Sequence, residues 1–281
     1  MDTITQQARA KVLRALHQGP SPLILPNAWD VVSARLFEEA GCHAIGTTSA
    51  GIAATLGYPD GERAPCDELL AVVERIARAV AVPVTADIEA GYGDTPAEVA
   101  RTARAVIAAG AVGVNLEDGT GDPARPLADS TAQVAKIQII REVAAAAGVP
   151  LVLNARTDVY WLAVGEADGR FAAAVERLRA YHAAGADCAF VPGVDDGEAI
   201  GRLARAVEGP LNVLAGAGTP TIADLGRLGV KRVSVGSAPL RATLGLVRRI
   251  AEELLRQGTY SSMMTDAIPY AEVNQLLAGR A

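Results

Sequence analysis

Asp87 and Glu89 stand two residues apart at the end of the run Val84-Thr85-Ala86-Asp87-Ile88-Glu89-Ala90-Gly91-Tyr92-Gly93. Along an extended chain alternate side chains share a face, so these two carboxylates can converge on one point. Anions held that close repel each other, and the remedies are a shared proton or a cation. In an oxygen-only site without histidine the fitting cation is magnesium, with manganese as the alternative. The plainer reading is a pair of solvated acids opening a helix. Tyr92, beside them, is a candidate general acid/base or a packing residue.

A pair of acids does chemistry only where a fold holds it at a cleft, so the surrounding elements must decide. An amphipathic helix is predicted from Thr5 to Gln18, ended by Gly19-Pro20. Strand and helix then alternate eight times. The strand candidates are Leu23 to Leu25, Ala44 to Thr47, Val84 to Ala86, Gly113 to Leu116, Leu151 to Asn154, Cys188 to Val191, Leu211 to Leu214 and Arg232 to Val235. Helical patterns lie between them, and several close on Ala-Gly or Leu-Gly, where glycine supplies a left-handed cap. Eight β-α units predict one domain over residues 1–281, an α/β chain folded as a (β/α)8 TIM barrel. Residues 1–20 add an N-terminal helix and residues 239–281 a C-terminal helical segment. An open doubly wound sheet is the alternative architecture. No G-x-x-x-x-G-K-[ST] occurs, and Gly216-Ala217-Gly218 lacks a third glycine, which sets nucleotide cofactors aside.

Composition narrows the partners. Hydrophobic residues make up 50% of the chain and aromatics 4%, so the core must be built from Ala, Val, Leu and Ile, as buried parallel strands require. A formal net charge of -6 with scattered Lys and Arg excludes nucleic acid and anionic membranes as partners. Three widely spaced cysteines, Cys42, Cys66 and Cys188, argue against a disulfide framework or a zinc site. Neither a signal peptide nor a long apolar span is visible, so a cytoplasmic protein is expected.

In a barrel of this kind functional side chains gather where strands end. Strand one ends in Asn27-Ala28-Trp29-Asp30, strand two in Thr47-Thr48-Ser49-Ala50-Gly51, strand three in Asp87 and Glu89, strand four in Glu117-Asp118 and strand five in Asn154-Ala155-Arg156-Thr157-Asp158. With Asp60 from the loop Gly57-Tyr58-Pro59-Asp60-Gly61, four acids (Asp60, Asp87, Glu89 and Glu117) face one mouth. Their charge of about -4 falls to about -2 on one divalent cation. Arg156 and the backbone of Thr48-Ser49-Ala50 supply the counterweight that an organic anion needs.

Taken together, these motifs resemble the isocitrate lyase and phosphoenolpyruvate mutase superfamily, over about residues 20 to 245. The carrying residues are Asn27 to Asp30 with Ser33-Ala34-Arg35, Thr47 to Asp60, Thr85 to Gly93, Asn115 to Asp118 and Asn154 to Thr157. The resemblance implies a barrel that binds small 2-oxo or 2-hydroxy carboxylates on Mg2+, in a homodimer or homotetramer whose last barrel helix is exchanged between subunits. It implies Asp87 as the direct metal ligand, with Asp60, Glu89 and Glu117 in its water shell. Thr48, Ser49, Ala50, Arg156 and Asn212 become carboxylate binders, and Asp60, Arg156 and Tyr92 the candidate catalytic groups. The implied chemistry passes through a metal-bound enolate: C–C cleavage of an isocitrate or 2-methylisocitrate-like acid, P–C chemistry on phosphonopyruvate, or binding of a 2-oxo acid without turnover.

The loop after strand four departs from the lyases of that family, which carry a Lys-Lys/Arg-Cys-Gly-His run. Here it reads Gly119-Thr120-Gly121-Asp122-Pro123-Ala124-Arg125-Pro126-Leu127-Ala128-Asp129-Ser130, with no thiol or imidazole. Asp122, Arg125 and Asp129 are its polar candidates for touching substrate. Glu89 stands where the family favours aspartate, which lengthens its reach by one methylene. Cys66, at a helix start, reads as structural.

Overall fold

All nine β-segments of the computed structural model, which describes residues 2–278, pair in parallel. They are β1 (Leu23–Leu25), β2 (Asn27–Ala28), β3 (Ile45–Thr47), β4 (Val84–Asp87), β5 (Gly113–Glu117), β6 (Val152–Arg156), β7 (Cys188–Phe190), β8 (Leu211–Leu214) and β9 (Arg232–Ser234). β1 pairs only with β9 and β2 only with β3, so the two are halves of one stave split at Pro26. Proline has no N–H to give, but its carbonyl still accepts from Gly46 N at 2.9 Å. The result is the eight-stave (β/α)8 barrel that the strand count predicts, closed through Pro26.

The helices are α1 (Thr3–Leu16), α2 (Val31–Glu39), α3 (Ser49–Leu56), α4 (Cys66–Ala79), α5 (Pro96–Ala108), α6 (Ser130–Ala146), α7 (Ala167–Ala183), α8 (Gly197–Ala206), α9 (Ile222–Arg227), α10 (Ala238–Arg256), α11 (Ser261–Met264) and α12 (Tyr270–Ala278). Local chemistry starts them: Thr95 and Glu98 form a capping box on α5, and Asp30 and Ser33 form one on α2. Asp30 therefore serves the helix rather than the mouth. Outward strand residues such as Ala86, Val114, Leu116 and Leu153 pack on Val99, Ala103, Ile137 and Ile140 of α5 and α6. The foot of the barrel is plugged by α1, whose Leu13 reaches Gly113 so closely that a Cβ there would stand 3.0 Å from it.

Register fixes what faces inward. One row of paired residues runs Asp87, Asn115, Asn154, Cys188; the next runs Glu117, Arg156, Phe190, Asn212, Arg232. Partners in a row share a facing, and strand tilt makes each row descend around the barrel. The second row starts at the C-terminal mouth and ends at the first residue of β9.

One segment differs from the sequence-based expectation, and the C-terminal helical segment falls where it was expected. Ser49 to Leu56 forms α3, with the Thr48 side chain accepting from Gly51 N, where the sequence reading has only the end of strand two. At the C-terminus, α10 buries only Leu240 and Glu253 and leaves Leu244, Val247, Leu254 and Leu255 exposed. Ile24, on the outer side of β1, is also 47% exposed. The chain then returns through α12, where Arg35 Nη2 donates to Leu276 O at 2.7 Å.

Candidate active site

Asp87 is the last residue of β4, and its carboxylate is tightly held. Oδ2 accepts from Ser49 N (2.9 Å) and Ser49 Oγ (2.8 Å), while Oδ1 accepts from Asn115 Nδ2 (2.8 Å). The first turn of α3 thus aims its N–H dipole at Asp87. One lone pair on Oδ1 stays open, which suits a single additional contact.

Glu89 reaches the same space by a different route from simple alternation. The strand stops at Asp87, and Glu89 takes a left-handed backbone (φ 51°) that turns its side chain back to the mouth. Its Oε2 accepts from Glu62 N and its Oε1 from Tyr92 Oη at 3.0 Å; Glu62 in turn accepts from Tyr92 N at 2.7 Å. Glu62 and Tyr92 share the left-handed conformation, a concentration of backbone strain typical of working sites. Burial, then the Asp87 charge, pushes the Glu89 carboxyl up to about 7. Tyr92 packs into the core behind Glu89 and is absent from the cavity wall, so its place is that of a positioning residue.

Glu117 and Arg156 are register partners and form an ion pair of 2.7 Å. Arg156 also holds Asp158 through Nε (2.6 Å) and Nη2 (3.1 Å), and stacks near Trp161 and Phe190, with Cζ 6.0 and 5.8 Å from their ring centres. Burial raises the Glu117 pKa, against the pull of Arg156. Beneath them Asp118 is fully buried and accepts from Thr157 Oγ1 (2.8 Å), Asp158 N (2.8 Å), Arg177 Nη1 (3.0 Å) and Tyr181 Oη (2.7 Å). This network fixes the turn that carries Arg156 and Asp158.

A cavity of about 670 Å³ opens at the C-terminal ends of the strands. Its wall includes Thr48, Ser49, Ala50, Asp60, Asp87, Glu89, Glu117, Arg156 and Asn212, so every sequence-predicted site residue except Tyr92 meets there. Asp60 comes from an exposed loop, and partial desolvation, then the nearby Asp87 charge, raises its pKa. Of the loop candidates only Asp122 lines the cavity; Asp129 caps α6 through Thr131 N at 2.8 Å, and Arg125 is exposed. Asn212 is fully buried and faces Ser234 Oγ at 3.2 Å.

The family model for phosphoenolpyruvate phosphomutase matches residues 13–255. The chain belongs to that family, within the isocitrate lyase/phosphoenolpyruvate mutase superfamily. Its similarity extends to 2-methylisocitrate lyase of Escherichia coli K12 (30% identity, 90% of this chain, 87% of the relative) and to oxaloacetate decarboxylase of Bradyrhizobium sp. BTAi1 (30%, 96% and 92%). Among solved structures, a lyase/mutase of Burkholderia cenocepacia J2315 superposes with a TM-score of 0.91 at 39% identity, covering 98% of both chains.

For a phosphoenolpyruvate mutase family member the question is whether this donor set fits a divalent cation. Among the described residues no three acid, imidazole or thiol groups stand close enough to form a direct cage. The open lone pair on Asp87 and the raised carboxyls of Asp60, Glu89 and Glu117 fit a hard cation held by one carboxylate and reached by the others through water. Asp158, Asn115, Glu62 and Arg232 also line the wall and were not among the expected site residues. Asn115 lies in a run that carries the family resemblance and Asp158 stands at the end of strand five, so a signal for them was present; Glu62 and Arg232 carried none.

Proposed function

We propose that this protein is a divalent-metal-dependent lyase that breaks a C–C bond in a small 2-hydroxy or 2-oxo carboxylate through an enolate. An isocitrate or 2-methylisocitrate-like acid is the leading substrate. The observation that carries this reading is the convergence of Asp60, Asp87, Glu89, Glu117 and Arg156 on one cavity. Mg2+ is the cation assigned, with Asp87 as its direct ligand. Its chemistry there is neutralisation of charge developing on substrate oxygens. Ser49 and Asn115 hold Asp87 in place, Tyr92 and Glu62 hold Glu89, and Asp158 orients Arg156 toward the substrate carboxylate. The loop from Gly119 to Leu127, pinned by a short antiparallel bridge, borders the mouth and excludes water.

A second reading, loss of CO2 from a 2-oxo dicarboxylate, is favoured by that loop: it brings no thiol or imidazole to the cavity, and the Bradyrhizobium relative carries the name of a decarboxylase. Incubation with Mg2+ and a panel of 2-methylisocitrate, isocitrate, oxaloacetate and phosphonopyruvate, with and without EDTA, separates the outcomes. Pyruvate with succinate, or glyoxylate with succinate, supports the lyase; pyruvate with CO2 alone supports the second reading. Phosphate or phosphoenolpyruvate, or activity untouched by EDTA, overturns both.

The exposed apolar residues of α10 and the uncovered Ile24 support exchange of this helix between two copies of the chain, in a dimer or tetramer.

A further inference from the structure

Arg232 ends the descending row that begins at Glu117, and it lines the same cavity from below. With staves about 4.8 Å apart and tilted by about 36°, each step descends about 3 Å, which puts Arg232 about 11 Å beneath Glu117 along the barrel axis. The residue is 2% exposed. Neither Nε nor Nη1 has a hydrogen-bond partner, and among the described residues no carboxylate stands within ion-pair distance of it.

Asp87 acts on it electrostatically from beyond ion-pair distance, and the groups packed directly against it bring no charge of their own to pair with it. Cys188, whose thiol burial pushes up to about 12, is neutral, and so is His17 from the plug below, which burial pushes down to about 4. Ser234 and Asn212 satisfy each other. Thr85 Oγ1 and Asn154 Oδ1, also inside the barrel, are left without partners. Arg156, the other arginine of the cavity wall, is already held by two carboxylates. A guanidinium does not shed its proton, so the floor holds a charge without a direct partner, which only the more distant Asp87 offsets in part.

We propose that Arg232 binds a small monoanion of carboxylate type at the floor of the barrel. Given the carboxylate substrate proposed above, on which this extension rests, the natural occupant is the second carboxylate of a dicarboxylate whose first end is held at the mouth. The cavity then selects dicarboxylates over monocarboxylates of equal length.

The anion site can be tested without turnover. Crystals of the full-length, EDTA-treated protein soaked in bromide should show anomalous density in contact with the Arg232 guanidinium. Only water at Arg232, with bromide elsewhere or nowhere, overturns the proposal whatever the enzyme's reaction proves to be. A second soak with succinate and Mg2+ tells the sources apart: displacement of bromide assigns the floor to the substrate's distal carboxylate, and bromide retained beside bound succinate assigns it to a free anion. In solution, Arg232→Met should weaken succinate binding about 10- to 100-fold, the value of hydrogen bonds to a charged group, and leave butyrate binding unchanged. Equal loss for both acids overturns the distal-carboxylate assignment. Should Arg232→Met fail to fold, the wild-type soaks still decide.

Discussion

Arg156 Nη1 lies 2.7 Å from Glu117 Oε2, on the next strand and in direct register. With Asp158 gripping the other edge of the guanidinium, one cation compensates two half-to-fully buried acids. Arg156→Met should therefore cost about 3–5 kcal/mol, because it strands both carboxylates. Urea unfolding at pH 7 measures the loss, and adding Glu117→Gln should recover part of it. A stability unchanged in the single variant contradicts the pairing.

For the cation proposed above, Glu89 is expected to make affinity depend on pH. Its carboxyl sits at about 7 instead of 4.5, so below pH 7 a proton competes with the cation. Calorimetric titration with Mg2+ should show release of about half a proton at pH 7 and affinity falling about tenfold per unit below it. Asp87→Asn should abolish this binding. The same raised pKa means that the metal-free protein loses stability as pH rises from 4.5 to 7, which bound cation offsets.

How much of this was visible in the chain varies with how local each cause is. The β-α repeat was, because its signals are short: apolar runs, capping residues and glycines such as Gly110 and Gly148 that take positive φ after α5 and α6. Asp87, Glu117 and Arg156 followed from the rule that strands present function at their ends. The left-handed turn that redirects Glu89 was not legible, since nothing in Asp-Ile-Glu-Ala distinguishes it from continued strand. Asp30 read as part of the mouth because an acid after a strand and an acid capping a helix look alike. Arg232 at the barrel floor depends on register across five strands, which no local pattern records.

His17 gives a second pH signature with the opposite sign. It is 3% exposed, donates through Nδ1 to Leu13 O at 2.8 Å, and leaves Nε2 unpaired. Burial, reinforced by the Arg232 charge, lowers its pKa from 6.5 to about 4. The unfolded chain takes up the proton first, so this residue removes stability as pH falls from 6.5 to 4, by up to about 3 kcal/mol. The difference between wild type and His17→Phe across that range isolates the effect, which should vanish above pH 7.

For the exposed face of α10, Val247→Asp with Leu254→Asp should lower the sedimenting mass to that of one chain while leaving the far-UV spectrum of the barrel intact. An unchanged mass places the subunit contacts elsewhere.

The split stave at Pro26 carries a consequence for biosynthesis. One half of it meets β3 early, but the other half finds its partner only when Arg232 to Ser234 have left the ribosome. Until then the nascent sheet exposes two raw edges, β1 and the newest strand, separated by about 200 residues of sequence. Chaperone demand should consequently peak late in translation, and a truncation just before Arg232 should yield an aggregating chain rather than a smaller stable one.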